Sequence, residues 1–180
     1  MQRAIFIRKE ITAVVSNIKS VAIPTGINDI LGNKGGIGVS LNIGSSSFCF
    51  ITSHLAAHQN AIKRRVADFS RISKEIAKTI GNFPPDDEGF TNPLHKQFDF
   101  VFWFGDLNFR INGTREVVDR FLELDMHRNL LNSDQLTQLM QLEHMAFDGF
   151  LEGPVNFRPT YKFNKGLGKN SNGLIFKVLS

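Results

Sequence analysis

A strongly apolar run at residues 98–104 ends at Gly105 and is followed by Asp106 and Asn108. A run of this length and composition predicts a buried β-strand. Residues two apart project to the same side of an extended backbone, so the Asp106 and Asn108 side chains are expected together at the strand end. There a carboxylate can accept a proton from water, and a carboxamide can donate to an oxyanion. Asp and Asn are also good turn residues, so an ordinary turn is an equal alternative for this segment alone.

A histidine follows a second apolar run in the same way. Residues 48–51 lead into the sequence TSHLAAH, which contains His54 and His58. His54 is therefore expected just past the carboxyl end of its strand, as Asp106 is after its own. A lone histidine is usually structural, but two polar strand ends of this kind favour a shared site.

Two further motifs contain lysine. The sequence GNKGG includes Asn33 and Lys34, and its glycines allow the backbone to approach a ligand closely. The sequence RPTYK ends in Tyr161 and Lys162. For Tyr161, a half-buried strand aromatic is the alternative to a binding residue.

In order and in spacing, GNKGG, SHLAAH, FGDLNFR and RPTYK resemble the motifs of the inositol polyphosphate 5-phosphatases. The resemblance covers nearly the whole chain and includes Arg65 and Asp68 after the second motif. Each motif alone is weak, but the combination is highly specific. It implies the fold of the wider endonuclease/exonuclease/phosphatase superfamily, an α+β sandwich of two packed sheets flanked by helices.

The same resemblance implies that this chain holds only the central part of a catalytic domain, at residues 1–163. Family members have a metal-binding glutamate upstream, and a PAWCDR-type motif and a Ser-Asp-His segment downstream. No metal ligand is therefore expected within this chain, and the fold is expected to be incomplete. Residues 164–180 match no pattern of the family and are interpreted as an unmatched tail.

The activity implied by the resemblance is hydrolysis of the 5-phosphate from phosphoinositides or inositol polyphosphates with a divalent metal, usually magnesium (Mg2+). Asp106 would orient and deprotonate the attacking water. Asn108 would hold that water or a phosphoryl oxygen, and His54 would donate to the phosphate in transfer.

The resemblance also implies a substrate-binding set. Asn33 and Lys34 would face the headgroup, where Lys34 would pair with a ring phosphate. Tyr161 and Lys162 resemble the pair that contacts a 4-phosphate, because a phenol and an ammonium can converge on one phosphate. His58 would either contact the substrate or pack beneath the site.

Two other functions fit part of this pattern. One is a catalytically inactive derivative that binds phosphoinositides, since several cooperating groups are expected outside the chain. The other is a nuclease of the same superfamily, which shares the GDxN strand end and the histidine. The GNKGG and RPTYK segments favour inositol phosphates, because they suit recognition of ring phosphates.

Composition restricts the cellular setting. The chain has 180 residues, 42% hydrophobic and 11% aromatic, which is enough for one globular core. Its net charge of +4 suits an anionic partner, but no nucleic-acid-binding motif is recognised, so no nucleic acid is expected. A single cysteine, Cys49, excludes an internal disulfide and favours a reducing compartment. We expect a cytoplasmic protein that contacts the cytosolic face of membranes peripherally and has no membrane span.

Local patterns predict several elements. Residues 37–44 and 47–55 are predicted to form a hairpin, and residues 4–15 one or two strands. Thr114 and Asp134 are predicted N-caps of later helices. An apolar stripe with helical spacing lies between these regions, at Ile62, Val66, Phe69, Ile76 and Ile80.

Overall fold

The structure of the chain, a computed structural model, describes residues 4–26, 33–87, 93–142 and 145–159. Tyr161, Lys162 and the predicted tail at residues 164–180 lie outside the described residues. The chain divides into two compact units. The first comprises Met1–Ala56 and Lys63–Asn108, and the second comprises Ala57–Ile62 and Phe109–Ser180.

The first unit is built on a four-stranded sheet. Its strands lie side by side in chain order: β1 (Val15–Pro24), β2 (Gly35–Ile43), β3 (Ser46–His54) and β4 (Phe100–Asp106). β1, β2 and β3 pair antiparallel, and the hairpin predicted from the sequence is confirmed as β2–β3. β3 and β4 pair in parallel, so the carboxyl ends of these two strands lie at the same edge.

The predicted helix is confirmed as α1 (Ile62–Ile80), in the connection between β3 and β4. A parallel strand pair needs such a crossover, because the chain must return to the same end of the sheet. α1 lies close against one sheet face: a Cβ at Gly36 would come within 2.6 Å of the Ile72 side chain. The Phe69 and Trp103 rings, with centroids 4.7 Å apart, extend this contact to β4.

The predicted strand at residues 4–15 is wrong. A 3₁₀ helix occupies Lys9–Val14, and β1 begins only at Val15. Val15 pairs with Ile43, the last residue of β2, so the preceding residues have no strand partner in the described sheet. Their backbone hydrogen bonds include a local one from the Ile11 N–H to the Arg8 carbonyl, and the Val14 carbonyl accepts from the Gly44 N–H. A second short 3₁₀ helix lies at Leu94–Lys96.

The sheet face opposite α1 carries a cluster of phenylalanines. The Phe48 and Phe100 ring centroids lie 4.9 Å apart, and those of Phe50 and Phe102 lie 5.3 Å apart. Phe100, Phe102 and Phe104 remain 48%, 47% and 49% exposed. In the described part of the chain this side of β4 is therefore not buried, which agrees with the uncovered apolar faces expected of an incomplete fold and not with a buried strand. Sequence shows that a strand is apolar, but not whether a second layer covers it.

We expect residues 1–180 to self-associate, because β4 is an edge strand of the described sheet and exposes aromatic rings. Phe102→Thr should lower the average mass measured by light scattering across a concentration series. Phe83→Thr is the matched control, since Phe83 is also exposed, at 53%, but lies outside β4. A parent chain that stays monomeric throughout the series contradicts this prediction.

The second unit is helical in the described residues. It contains α2 (Arg115–Glu123), α3 (His127–Leu130) and α4 (Gln135–Met140), with a 3₁₀ turn at Leu131–Ser133. Both predicted N-caps are confirmed: Thr114 accepts from the Val117 N–H, and Asp134 accepts from the Thr137 N–H. The α+β class is therefore confirmed. Among the described residues, no helix is long and apolar enough to cross a bilayer.

Candidate active site

Parallel pairing of β3 and β4 brings two polar side chains together. His54 and Asp106 are the last residues of their strands and pair in register. His54 Nε2 lies 3.3 Å from Asp106 Oδ2, with side chains 36% and 62% exposed. The Asp106 carboxylate and the His54 imidazole are therefore both accessible to solvent, and the pairing of β3 with β4 holds their backbones in place.

Lys34 joins this pair from the glycine-rich motif. Its Nζ lies 2.5 Å from His54 Nε2. An ammonium group can only donate, and an unprotonated imidazole nitrogen can accept such a hydrogen bond. Lys34 thereby places a positive charge beside the histidine that also faces the Asp106 carboxylate. The hairpin produces this contact, because Gly35 pairs with His54 across β2 and β3.

Asn108 differs from the extended conformation predicted for it. β4 ends at Asp106, and Asn108 has a φ of +59°. Its backbone N–H donates to Asp106 Oδ1 at 3.2 Å, which forms the turn that was the alternative interpretation. Asn tolerates this left-handed backbone better than most residues. The Asn108 side chain stays at the site, where Nδ2 donates to the Leu55 carbonyl at 2.9 Å.

The other predicted binding residues have different placements. Asn33 is exposed in the turn immediately before Lys34. His58 belongs to the second unit and has a φ of +79°. Tyr161 and Lys162 lie outside the described residues, so the structure brings together four predicted residues: Lys34, His54, Asp106 and Asn108.

From the sequence, Arg65 is expected to be a packing or buried-pair residue, but the backbone contacts that it and Asp68 make behind the site are not predicted. Asp68 Oδ2 accepts from the Ala56 N–H at 2.9 Å, and Arg65 Nη1 donates to the Ala56 carbonyl at 3.1 Å. Burial raises the pKa of the Asp68 carboxyl above its ordinary value, while the Ala56 N–H opposes that rise. Arg65 occupies a position of the apolar stripe on α1, and a charge at such a position is the signal that could have identified it.

The described residues do not by themselves fit a magnesium site. They contain no group of three or more His, Cys, Asp and Glu side chains that could hold a metal ion. Mg2+ favours octahedral coordination by oxygen. Asp106 and Asn108 can supply oxygen atoms, but His54 supplies nitrogen. The expectation of magnesium therefore continues to rest on the sequence resemblance.

A carboxylate, an imidazole and an ammonium group thus lie together at the joined ends of β3 and β4. The family model described as "Endonuclease/Exonuclease/phosphatase family 2" matches residues 1–172. The chain belongs to this family. The boundary placed at residue 163 remains a prediction.

The similar proteins also support the resemblance found in the sequence. Human Synaptojanin-2 is 36% identical over 162 residues, which cover 90% of this chain and 10% of that protein. The solved inositol polyphosphate 5-phosphatase domain of SPsynaptojanin, in complex with inositol (1,4)-bisphosphate and calcium ion, is 30% identical, with a TM-score of 0.71. This match covers 92% of the chain and 45% of the solved one, so the chain spans less than half of either relative.

A third comparison concerns the fold alone. A Cimex nitrophorin, solved as its ferrous NO complex, has a TM-score of 0.60 and 24% identity, over 89% of this chain and 48% of that one. The ferrous NO complex of that protein is unrelated to phosphate hydrolysis. The function must therefore be argued from the site rather than from the fold.

Proposed function

We propose that this chain contributes the central part of an enzyme that hydrolyses the 5-phosphate of phosphoinositides or inositol polyphosphates. The observation that carries the proposal is the cluster of Lys34, His54 and Asp106 at the joined ends of β3 and β4. It unites a cation, a hydrogen-bonding ring and a proton acceptor on one exposed edge. The relatives named for this activity support the same assignment.

The charge of the phosphate is the chemical problem that such a cluster addresses. A phosphate monoester repels an approaching nucleophile, so nearby positive charge and hydrogen-bond donors must offset that repulsion. Asp106 accepts a proton from the attacking water as its oxygen bonds to phosphorus. The bond from phosphorus to the ring oxygen breaks, and that oxygen takes up a proton to become a hydroxyl. His54 donates to the phosphate, Asn108 holds the water or a phosphoryl oxygen, and Lys34 supplies positive charge.

We also propose which residues bind the inositol headgroup and which metal ion the enzyme uses. Asn33 and His58 contribute to substrate binding, and Tyr161 and Lys162 contact a 4-phosphate. In support, the solved relative binds inositol (1,4)-bisphosphate, which carries a phosphate at that position. The same relative contains a calcium ion, which supports a divalent metal. We expect magnesium in the working enzyme, with ligands beyond the described residues, and peripheral contact of this cytoplasmic protein with anionic membranes.

One observation favours a second candidate, a phosphoinositide-binding derivative without activity. The part of the chain that the structure describes lacks a cluster of three metal-ligand side chains. In that case Lys34 would still bind phosphate, but hydrolysis would be absent.

The test is phosphate release from vesicles that contain a 4,5-bisphosphorylated inositol lipid, with magnesium or with a chelator. The expected product retains the 4-phosphate and lacks the 5-phosphate, and it forms only with metal. Vesicle binding without phosphate release would favour the inactive derivative. Cleavage of duplex or single-stranded DNA under the same conditions, with the lipid untouched, would overturn both candidates.

A further inference from the structure

Two charged side chains of α1 bind both backbone groups of Ala56, two residues after His54. Asp68 accepts from the Ala56 N–H at 2.9 Å, and Arg65 donates to the Ala56 carbonyl at 3.1 Å. Arg65 is 0% exposed and Asp68 is 6% exposed. Both charges are therefore inside the first unit, away from any direct contact with solvent-borne substrate.

Packing alone does not explain charges at these positions. A buried charge costs several kcal/mol in lost solvation unless it is well hydrogen-bonded, and apolar side chains of similar size fill the same volume at lower cost. A charge-assisted hydrogen bond adds what an apolar side chain lacks, namely a fixed direction and distance. The pair on α1 is thus suited to holding one peptide segment in place.

The held segment leads directly to the site. Leu55, between His54 and Ala56, donates its N–H to the Asp106 carbonyl at 3.0 Å. Its own carbonyl accepts from Asn108 Nδ2 at 2.9 Å. Residues 54–56 are therefore bound on one side by the end of β4 and on the other by α1.

We infer that Arg65 and Asp68 are positioning residues that hold the backbone of residues 54–56 and thereby keep His54 against Asp106. They act through His54 and do not touch the substrate. The effect on turnover rests on the proposed function, whereas the effect on backbone order does not.

Hydrogen exchange of the full chain tests the backbone effect. Asp68→Leu and Arg65→Met should speed exchange of the Leu55 and Ala56 amides by about tenfold or more, because the segment then opens locally. The amides of Val39 and Cys49, in the middle of the hairpin, should keep their protection. Arg64→Met is the matched control, since Arg64 is the exposed neighbour of Arg65 on the same helix.

Conservative variants separate positioning from folding. Asp68→Asn keeps an oxygen acceptor for the Ala56 N–H, so it should restore most of the protection lost in Asp68→Leu. If Asp68→Leu fails to fold, Arg65→Met and Arg65→Lys decide, with faster exchange expected at Ala56 before any other amide. Unchanged exchange at Ala56, or equal loss of protection throughout the sheet, would overturn the inference.

Turnover supplies the second readout. Arg65→Met should lower kcat about tenfold with little change in KM, and this loss should vanish in a His54→Ala background, where no imidazole remains to be held. Full additivity of the two substitutions would overturn the inference. If the parent chain releases no phosphate at all, the proposed function fails, and the exchange data alone decide whether the positioning pair exists.

Discussion

Asp106→Asn is expected to reduce phosphate release from a 4,5-bisphosphorylated inositol lipid by about 10²- to 10⁴-fold, the usual contribution of a general base. The amide has the shape of the carboxylate but cannot accept a proton from water. The measurement is kcat for parent and variant under the conditions that give the parent its highest rate.

The fold should survive this substitution. Asn retains an oxygen that can accept from the Asn108 N–H, the bond that forms the turn after β4. The register between His54 and Asp106 depends on backbone pairing of β3 with β4 and does not need the carboxylate. The variant should therefore unfold at nearly the same urea concentration as the parent.

Asp99→Asn is the matched control at the opposite end of β4. Asp99 Oδ2 accepts from the Ser47 N–H at 2.7 Å and from Ser47 Oγ at 2.8 Å. These bonds hold the pKa of Asp99 below its ordinary value. Losing this charge should weaken the sheet but leave kcat per folded molecule unchanged. A tenfold change in rate corresponds to about 1.4 kcal/mol of activation free energy. If kcat of Asp106→Asn stays within about tenfold of the parent value, Asp106 is not the general base.

Local patterns in the sequence predicted local structure well. The hairpin, the helix from Ile62 to Ile80 and the two N-caps each depend on residues close together in the chain, so periodicity and capping chemistry suffice. The predicted strand at residues 4–15 failed because a strand needs a partner, and pairing with β2 begins only at Val15. The apolar pattern of β4 alone predicted burial of Phe102, whereas the expectation of an incomplete fold predicted the exposed apolar face that the structure shows.

Part of the candidate active site could also be predicted from the sequence. Once the hairpin is predicted with its turn near Gly44, antiparallel pairing places Gly35 opposite His54, so the neighbouring Lys34 could have been placed beside that histidine. The parallel register of β3 with β4 could not be predicted, because a crossover separates the strands. The turn at Asn108 was one of two equal interpretations of the sequence, and the hydrogen bond to the Asp106 side chain favours it over continued strand structure.

Gly105→Ala is expected to destabilise the first unit by roughly 3–5 kcal/mol, the range of severe single substitutions. Gly105 has a φ of +125°, and an added Cβ would lie 2.2 Å from the Ser53 carbonyl oxygen and 2.9 Å from the Ser53 nitrogen. Both obstructing atoms are backbone atoms of β3, so they cannot move aside as a side chain can. The steric clash can be relieved only if β3 and β4 move apart next to the contact between His54 and Asp106.

Gly44→Ala separates the steric effect from the backbone conformation. Gly44 has a φ of +60°, but no atom lies within 4 Å of a Cβ added there. This variant should cost only about 1–2 kcal/mol, the penalty for a left-handed residue with a side chain. Urea unfolding of both variants gives the comparison, and equal losses would contradict the close approach of β3 and β4. Because the clash lies one residue before Asp106, Gly105→Ala should also lower kcat in the fraction that remains folded, whereas Gly44→Ala should not.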